Sequence, residues 1–218
     1  MEIDIDIFGL LRFSFGAVMV TPRNFYRLME TGQTALLFPG GVREVFHGKE
    51  EAYKLFWPEK VDFVRVAARF NATILPLSAI GAADSANILL DAPEILNLPF
   101  GLGERAQNNT KNTIAARYDS QNEEEVFQPP IVAPKLLPAR HYFVFGKPFD
   151  TTHINHKDKV ACGTLYKEVK QELIRGLEDL LKARENDPYV DTLKRLAYER
   201  ILRKQSPTFP LSDLNEVI

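Results

Sequence analysis

The chain has 218 residues, of which 45% are hydrophobic and 26% charged, with a formal net charge of −2. This length and composition are typical of one α/β domain with a sizeable core, and they argue against nucleic acid as the main partner, because phosphate binding normally needs a basic face. The single cysteine, Cys162, excludes an intramolecular disulfide and a cysteine-based metal site, and no metal is predicted.

No apolar run reaches the roughly 18 residues that a membrane-spanning helix requires. The nearest candidate, residues 7–20, is interrupted by Arg12 and Ser14. The chain begins with the acidic stretch MEIDID, whereas targeting segments are basic, so no signal or transit peptide is predicted there. Any contact with lipid is therefore expected to be peripheral.

The first part of the chain predicts a strand followed by a short helix. Residues 13–20 have the pattern of a buried strand. Thr21 is predicted to cap the helix, with Pro22 at its first position and Gly32 just past its end.

The next segment predicts two strands with a helix between them. Residues 36–38 are predicted as a strand that ends at a Pro-Gly-Gly turn, and a loop over residues 45–57 follows. Pro58 leads into a predicted helix over residues 59–70, and residues 73–79 form the next predicted strand, in which Pro76 favours an edge or bulged position. The positions expected on the apolar face of this helix are Phe63, Val66, Ala67 and Phe70.

The second half begins with a long irregular segment, residues 81–138, which we call the excursion, and it ends in helices. Residues 81–138 break up into short pieces rich in Asn, Gly and Pro, and loops this long are usually functional or disordered. A strand is predicted over residues 141–145, a long amphipathic helix over 160–182 and a last helix over 190–202. Alternation of strands and helices favours a doubly wound α/β fold.

The stretch TALLFPGGVRE, residues 34–44, is the strongest motif in the chain. Gly40 and Gly41 would let backbone N–H groups converge on an anion or oxyanion without interference from a Cβ. Arg43 offers a planar fork to a carboxylate, a phosphate or a neighbouring acid that orients it. The alternative is a glycine-rich connection followed by a surface Arg43/Glu44 pair.

Several blocks around this motif resemble the acyltransferase part of the plant phytyl ester synthases, a plastid family related to type-2 diacylglycerol acyltransferases. The resemblance covers nearly the whole chain and is weakest between residues 82 and 138. The blocks that carry it are Phe15-Gly16-Ala17-Val18, Thr21-Pro22-Arg23-Asn24-Phe25-Tyr26-Arg27-Leu28, Pro39-Gly40-Gly41-Val42-Arg43-Glu44, Tyr53-Lys54-Leu55-Phe56-Trp57-Pro58, Ala67-Ala68-Arg69-Phe70, Tyr142-Phe143-Val144-Phe145-Gly146-Lys147-Pro148 and Arg184-Glu185-Asn186-Asp187-Pro188-Tyr189.

The resemblance implies a glycerolphosphate-acyltransferase-like doubly wound sheet flanked by helices and incomplete at its N-terminus. Residues 1–206 would be the C-terminal part of that domain, with 81–138 as a variable insertion and 207–218 as a tail. A transit peptide, an α/β-hydrolase domain and the first half of the acyltransferase domain would precede it in the full-length protein. An apolar patch is then expected beside Phe13, Phe15 and Val18, because their neighbours are missing.

The implied activity is transfer of a fatty acyl group from acyl-CoA, acyl-carrier protein or a lipid to phytol or diacylglycerol in the chloroplast, at plastoglobules or thylakoids. No cofactor beyond the acyl co-substrate is implied. Substrate binding would fall to Pro39, Gly40, Gly41, Arg43 and Glu44. Acyltransferases that act on glycerol phosphates carry Pro-Glu-Gly at the comparable turn, so Pro-Gly-Gly favours a neutral alcohol as acceptor.

The sequence departs from the family at the proton acceptor. The family's His-x4-Asp box lies upstream of the Pro-Gly-Gly block, but the first histidine of this chain is His47. His47 is a candidate base because it lies close to Arg43, although the family uses no base there and a structural role is the alternative. The literal match from His153 to Asp158 follows the block, and there Asp158 is predicted as a helix N-cap.

Three aromatic residues after the turn, Tyr53, Phe56 and Trp57, are candidates for lining an acyl channel; core packing is the alternative. The excursion supplies a candidate lipid contact beside Gly101, and a plain surface insertion is its alternative. The residues of that contact are Ile95, Leu96, Leu98, Pro99 and Phe100. Because the His-x4-Asp box is missing, a second hypothesis is a catalytically inactive remnant that binds lipid or a partner.

Overall fold

The computed structural model describes residues 16, 21–59, 62–111, 128–137 and 139–214. Within these ranges lie seven α-helices and four short strands, so the predicted mixture of helix and strand is confirmed. The strand predicted over residues 13–20 and the patch expected beside Phe13, Phe15 and Val18 lie outside the described residues.

The first helix forms where its capping residues predict it. Helix α1 spans Pro22–Glu30, and the Thr21 hydroxyl accepts a hydrogen bond from the Asn24 N–H at 3.1 Å. Gly32, just past the end, has a φ of 68°, which favours glycine. The one-turn helix α2 spans Val42–Val45, and α3 spans Asp62–Arg69.

The strand predicted at residues 36–38 is wrong. Residues 33–38 have no regular secondary structure, and the side chains of Leu36 and Phe38 are 69% and 68% exposed. A strand requires a hydrogen-bonded partner, and no described strand pairs with this segment. The apolar face of α3 agrees with its prediction in part: Ala67 is buried and Phe63 packs against the core, but the other buried positions are Val64 and Ala68.

The central sheet is an antiparallel pair. Strand β1 spans Leu77–Ile80 and pairs with β4, Tyr142–Phe145, with Ile80 opposite Tyr142. Pro76 immediately precedes β1, and its carbonyl accepts a hydrogen bond from the Gly146 N–H at 2.9 Å. The predicted strand over 73–79 is therefore shifted, because proline cannot donate to the ladder.

The two faces of this pair differ. Alternate side chains of both strands, Ser78, Ile80, Tyr142 and Val144, are buried. The opposite face carries Phe143 and Phe145, which are 63% and 55% exposed. One face of the pair therefore packs on the core while the other remains apolar and accessible.

The excursion contains more regular structure than its sequence predicted. Strand β2, Ala86–Leu90, pairs antiparallel with β3, Ile131–Pro134, and helices α4, Ala92–Leu96, and α5, Leu102–Lys111, lie between them in sequence. The two ends of the excursion meet at Gly81. There φ is 113°, and a Cβ would lie 2.4 Å from the Arg140 carbonyl oxygen.

The long helix α6, Lys159–Arg184, organises the core. Asp158 caps it as predicted, accepting hydrogen bonds from the N–H groups of Val160 and Ala161 at 2.9 and 3.0 Å. The last helix, α7, spans Thr192–Leu202. Residues of α6 enter two buried clusters, the first made of Ile80, Tyr142, Val144, Leu177, Leu180, Ala183 and Phe209, and the second of Val64, Cys162, Leu165, Tyr166 and Val169.

The described strands form two separate antiparallel pairs and not a doubly wound sheet, which is mostly parallel. Phe209, beyond the predicted boundary at residue 206, stacks on Tyr142 with ring centroids 5.5 Å apart. The start of the predicted tail therefore contributes to the core, whereas the domain boundary itself stays a prediction.

Candidate functional site

The two glycines of the Pro-Gly-Gly turn serve different purposes. Gly41 has φ 54° and ψ −139° at the start of α2, and its N–H donates to the Phe38 carbonyl at 3.0 Å. Gly40 is buried, and a Cβ at that position would lie 1.9 Å from Cδ of Glu44. The backbone conformation thus favours glycine at position 41, whereas a side chain at position 40 would displace the end of the Glu44 side chain.

Arg43 is bound by an acid from the following loop. Its Nη2 lies 2.6 Å from Oε1 of Glu51, and its guanidinium carbon lies 3.9 Å from the centroid of the Phe56 ring. Glu51 also accepts a hydrogen bond from the Gly48 N–H at 2.7 Å. The hydrogen bond from Arg43, opposed by burial and assisted by that of Gly48, lowers the pKa of Glu51 from 4.5 to about 2.

Glu44 is tied to the same loop. Its Oε1 accepts a hydrogen bond from the Phe56 N–H at 2.8 Å. Arg43 and Glu44 therefore both hold residues 48–58, a segment that we call the strap loop. The predicted substrate-binding residues are brought together, but the charged side chains of Arg43 and Glu44 make these contacts within the protein.

Tyr53 fastens the strap loop to the end of β1. Its hydroxyl donates to Asp84 Oδ2 at 2.6 Å and accepts from the Gly81 N–H at 3.0 Å. Arg184, the last residue of α6, reaches the same carboxylate oxygen at 2.5 Å. Tyr53 adopts a φ of 63°, which is unfavourable for an aromatic residue, so the surrounding contacts must hold it there.

Electrostatics in this cluster follow from partial burial. Burial, together with the hydrogen bond to Asp84, raises the pKa of the Tyr53 hydroxyl. Burial also acts to raise the pKa of Asp84, but the hydrogen bonds from Tyr53 and Arg184 outweigh it and hold that pKa below its usual value. The cluster therefore contains a protonated phenol beside an ionised carboxylate at neutral pH.

His47 lies immediately before the strap loop. Its Nδ1 is 2.9 Å from the carbonyl oxygen of Gly48, so a proton on Nδ1 makes a local hydrogen bond and leaves Nε2 as the basic nitrogen. The His-x4-Asp match from His153 to Asp158 has a structural explanation. Asp158 caps α6, and His153 is exposed in the loop before that helix. A role of His47 as the base stays a prediction.

The three acyl-channel candidates contact different parts of the protein. Tyr53 packs beside the first core cluster, and Phe56 lies under the guanidinium of Arg43. Trp57 packs against the second cluster, with its ring centroid 5.6 Å from those of Phe63 and Tyr166. Their role as one acyl channel stays a prediction.

A second polar cluster was not foreseen from the sequence. The Asp187 side chain is completely buried and receives hydrogen bonds from Arg140 at 3.2 Å, the Tyr142 hydroxyl at 2.5 Å and the Tyr189 N–H at 2.7 Å. Arg140 also donates to the carbonyl oxygens of Ser206 and Pro207, both at 2.8 Å. This cluster fixes the chain after α7 against β4.

Asp84, Arg184 and Asp187 were therefore missed as organising residues. The available signal was the presence of Arg184 and Asp187 in one of the family-like blocks, whereas Asp84 lies in the region of weakest resemblance. Three blocks that are far apart in sequence, at residues 53–58, 142–148 and 184–189, supply members of these two clusters. The characteristic residue types of these three blocks are therefore explained in part by the contacts that they make within the protein.

The described ranges contain no group of three or more His, Cys, Asp or Glu side chains arranged to hold a metal ion. None of the helices in those ranges combines the length and apolar character needed to cross a membrane. Cys162 is buried in the second cluster, and burial raises the pKa of its thiol, so it has the character of an inert core residue.

The chain is similar to two Arabidopsis thaliana proteins over most of its length. It is 41% identical to phytyl ester synthase 1, chloroplastic, over 189 residues, which cover 84% of this chain and 27% of that protein. It is 39% identical to phytyl ester synthase 2, chloroplastic, over 202 residues, which cover 90% of this chain and 28% of that protein. The chain thus spans little more than a quarter of these curated relatives.

A more distant similarity links 102 residues to an uncharacterised protein of Mycobacterium tuberculosis, with 29% identity over 47% of this chain and 28% of that protein. No family model matches the chain. No solved structure matches it either. The Arabidopsis similarities confirm the resemblance inferred from the sequence blocks, and this chain belongs to the phytyl ester synthase family.

Proposed function

We propose that this chain forms part of a chloroplast acyltransferase that transfers a fatty acyl group from acyl-CoA, acyl-carrier protein or a lipid to phytol or diacylglycerol. The relationship to two proteins named phytyl ester synthase supports this function. Because the chain corresponds to little more than a quarter of each, it supplies a share of the activity. The doubly wound sheet and a location at plastoglobules or thylakoids belong to this proposal for the longer protein.

The proposal is supported at the site by the way in which the positive charge of Arg43 is balanced within the protein. An arginine meant for a phosphate presents its guanidinium to the ligand, but Arg43 is paired with Glu51 at 2.6 Å and stacked on Phe56. The Pro-Gly-Gly turn therefore offers little uncompensated positive charge. A neutral alcohol suits this surface better than a glycerol phosphate.

In the reaction, the alcohol oxygen attacks the acyl carbonyl carbon and forms a new C–O bond. With a thioester donor, the C–S bond then breaks and the thiolate leaves, while a base accepts the proton of the alcohol. We assign to residues 39–44 the binding of the acceptor, with Gly41 allowing close approach of the backbone and Arg43 and Glu44 fixing the strap loop. The base lies elsewhere, in keeping with the family's upstream His-x4-Asp box.

A chimera provides the test. The matching segment of Arabidopsis phytyl ester synthase 1 is replaced by this chain, and formation of phytyl esters from labelled phytol and acyl-CoA is measured. The proposal predicts clear ester formation by the chimera and at least a tenfold loss on replacing Gly41 with Val, which disfavours the observed backbone. A matched control, Gly163→Val, changes a helical glycine with no atom within 4 Å of its added Cβ.

The second candidate function is lipid or partner binding without catalysis, favoured by the contacts of Arg43 and Glu44 with the strap loop, which occupy both charged side chains within the protein. It predicts a folded chimera that binds phytol saturably but forms no ester, while the unmodified relative remains active. Strong transfer by the 218-residue chain alone, abolished by His47→Ala or His153→Ala, would contradict both assignments by placing the base within this chain.

A further inference from the structure

The connection between α4 and α5 forms an apolar protrusion, residues 96–102, which we call the apolar tip. The surrounding segment ILNLPFGLG, residues 95–103, contains no charged residue. Phe100 at the tip is 93% exposed, Leu102 is 47% exposed and Leu96 is 40% exposed. An apolar protrusion of this kind contrasts with the usual polar surface turn.

The tip is firmly built into the excursion. Ile95 is buried and anchors α4, while Gly103 packs so closely that a Cβ there would lie 2.2 Å from the Leu96 carbonyl oxygen. At the other end of α4, Lys49 binds both carboxylate oxygens of Glu94 at 2.6 Å. The outward position of the tip therefore follows from the packing of the two helices and not from a loose loop.

The backbone at the tip is also unfavourable. Phe100 has a φ of 60°, a left-handed conformation that glycine or asparagine adopts more readily than phenylalanine. Phe100 thus combines an exposed aromatic ring with a disfavoured backbone. Neither feature improves the stability of the folded chain, and such outliers often indicate function.

We propose that the apolar tip inserts into the interfacial region of an uncharged lipid surface. The tip is exposed at Phe100 and free of charge, and the ionic groups nearest to it in sequence, Glu94 and Glu104, flank it. A lipid interface accepts an apolar protrusion without directional contacts, whereas a specific protein partner normally adds hydrogen bonds or charge pairs. This proposal deepens the proposed function, on which it rests for the lipid nature of the substrates.

The test is flotation of the full 218-residue chain with phosphatidylcholine vesicles. Phe100→Asn removes the ring but suits a positive φ, so the fold should keep or slightly raise its melting temperature while partitioning falls about tenfold, as expected for removing one inserted aromatic side chain. The matched control is Leu136→Asn, which changes a completely exposed leucine outside the tip and should leave partitioning unchanged.

Salt separates insertion from electrostatic adsorption. Binding by an uncharged tip should change less than twofold between about 0.1 and 0.5 M salt, because screening acts on charge pairs. The proposal is overturned by equal losses in the two variants, by wild-type binding in Phe100→Asn, or by concentration-dependent self-association through Phe100 in place of vesicle binding. Flotation measures binding and not catalysis, so its result does not depend on whether the chimera forms esters.

Discussion

The Tyr53 hydroxyl donates a hydrogen bond to the Asp84 carboxylate at 2.6 Å, although 31 positions separate the two residues. The same hydroxyl accepts from the Gly81 N–H, so it connects the strap loop to the end of β1. Arg43 and Glu44 hold the other part of the strap loop. The geometry of the Pro-Gly-Gly turn therefore depends on contacts well beyond the turn.

Tyr53→Phe should lower the free energy of unfolding by about 1–2 kcal/mol, because it leaves the buried Gly81 N–H without its acceptor and removes one of the two donors to Asp84. Urea unfolding monitored by circular dichroism measures this change. Tyr198→Phe, which removes a hydroxyl from an aromatic pair with Tyr189, is the control and should change stability less. Equal effects would show that the Tyr53 hydroxyl contributes no special support.

Glu51 should make stability depend on pH in the acidic range. Its pKa falls from 4.5 in the unfolded chain to about 2 in the folded protein, so its contribution is fully present above about pH 4.5 and is lost as the pH falls toward 2. At pH 6, Glu51→Gln should lower the free energy of unfolding by about 0.5 kcal/mol, since the Arg43–Glu51 pair is partly exposed.

The difference in unfolding free energy between wild type and Glu51→Gln, measured in urea at pH 6 and pH 3, checks this linkage. It should shrink at the lower pH. The control is Glu50→Gln, which changes the exposed neighbouring acid. A difference that stays constant or grows on acidification would contradict the assigned pKa direction.

Arg140→Met should destabilise the protein by about 3 kcal/mol, because it leaves the completely buried Asp187 carboxylate without its ion-pair partner. It also removes the two hydrogen bonds to Ser206 and Pro207, so limited proteolysis after α7 should accelerate. Combining it with Asp187→Asn should recover part of the stability. If Arg140→Met leaves both stability and proteolysis unchanged, Arg140 does not hold this segment.

His47→Ala should reduce ester formation by the chimera less than about twofold, since the ring hydrogen-bonds to the neighbouring Gly48 carbonyl and the proposed base lies upstream. Loss of a general base would instead lower the rate about 10²–10⁴-fold. The rates are compared at saturating phytol. A loss in the larger range, without a change in melting temperature, would identify His47 as the base.

Features that depend on neighbours in sequence were predicted well. The caps of α1 and α6 form at Thr21 and Asp158 because each side chain satisfies N–H groups two or three residues away. The β4 strand and the long α6 helix also agree with their patterns. Local chemistry decides each of these features.

Features that depend on distant partners were predicted poorly. Residues 36–38 have the composition of a strand, but no described strand pairs with them. Asp84 gave no local signal because its partners, Tyr53 and Arg184, are 31 and 100 positions away. The Pro-Gly-Gly block was located correctly, yet the binding of Arg43 by Glu51 became evident only from the fold.

The close approach of Gly40 and Glu44 couples two positions whose relationship is not evident from the motif sequence alone. A Cβ at position 40 would lie 1.9 Å from Cδ of Glu44, so the end of that side chain, which accepts the Phe56 N–H, would have to move. A glutamate at position 40 would therefore compete with Glu44 for this space. The attachment of the strap loop to Glu44 therefore depends on the absence of a side chain at position 40.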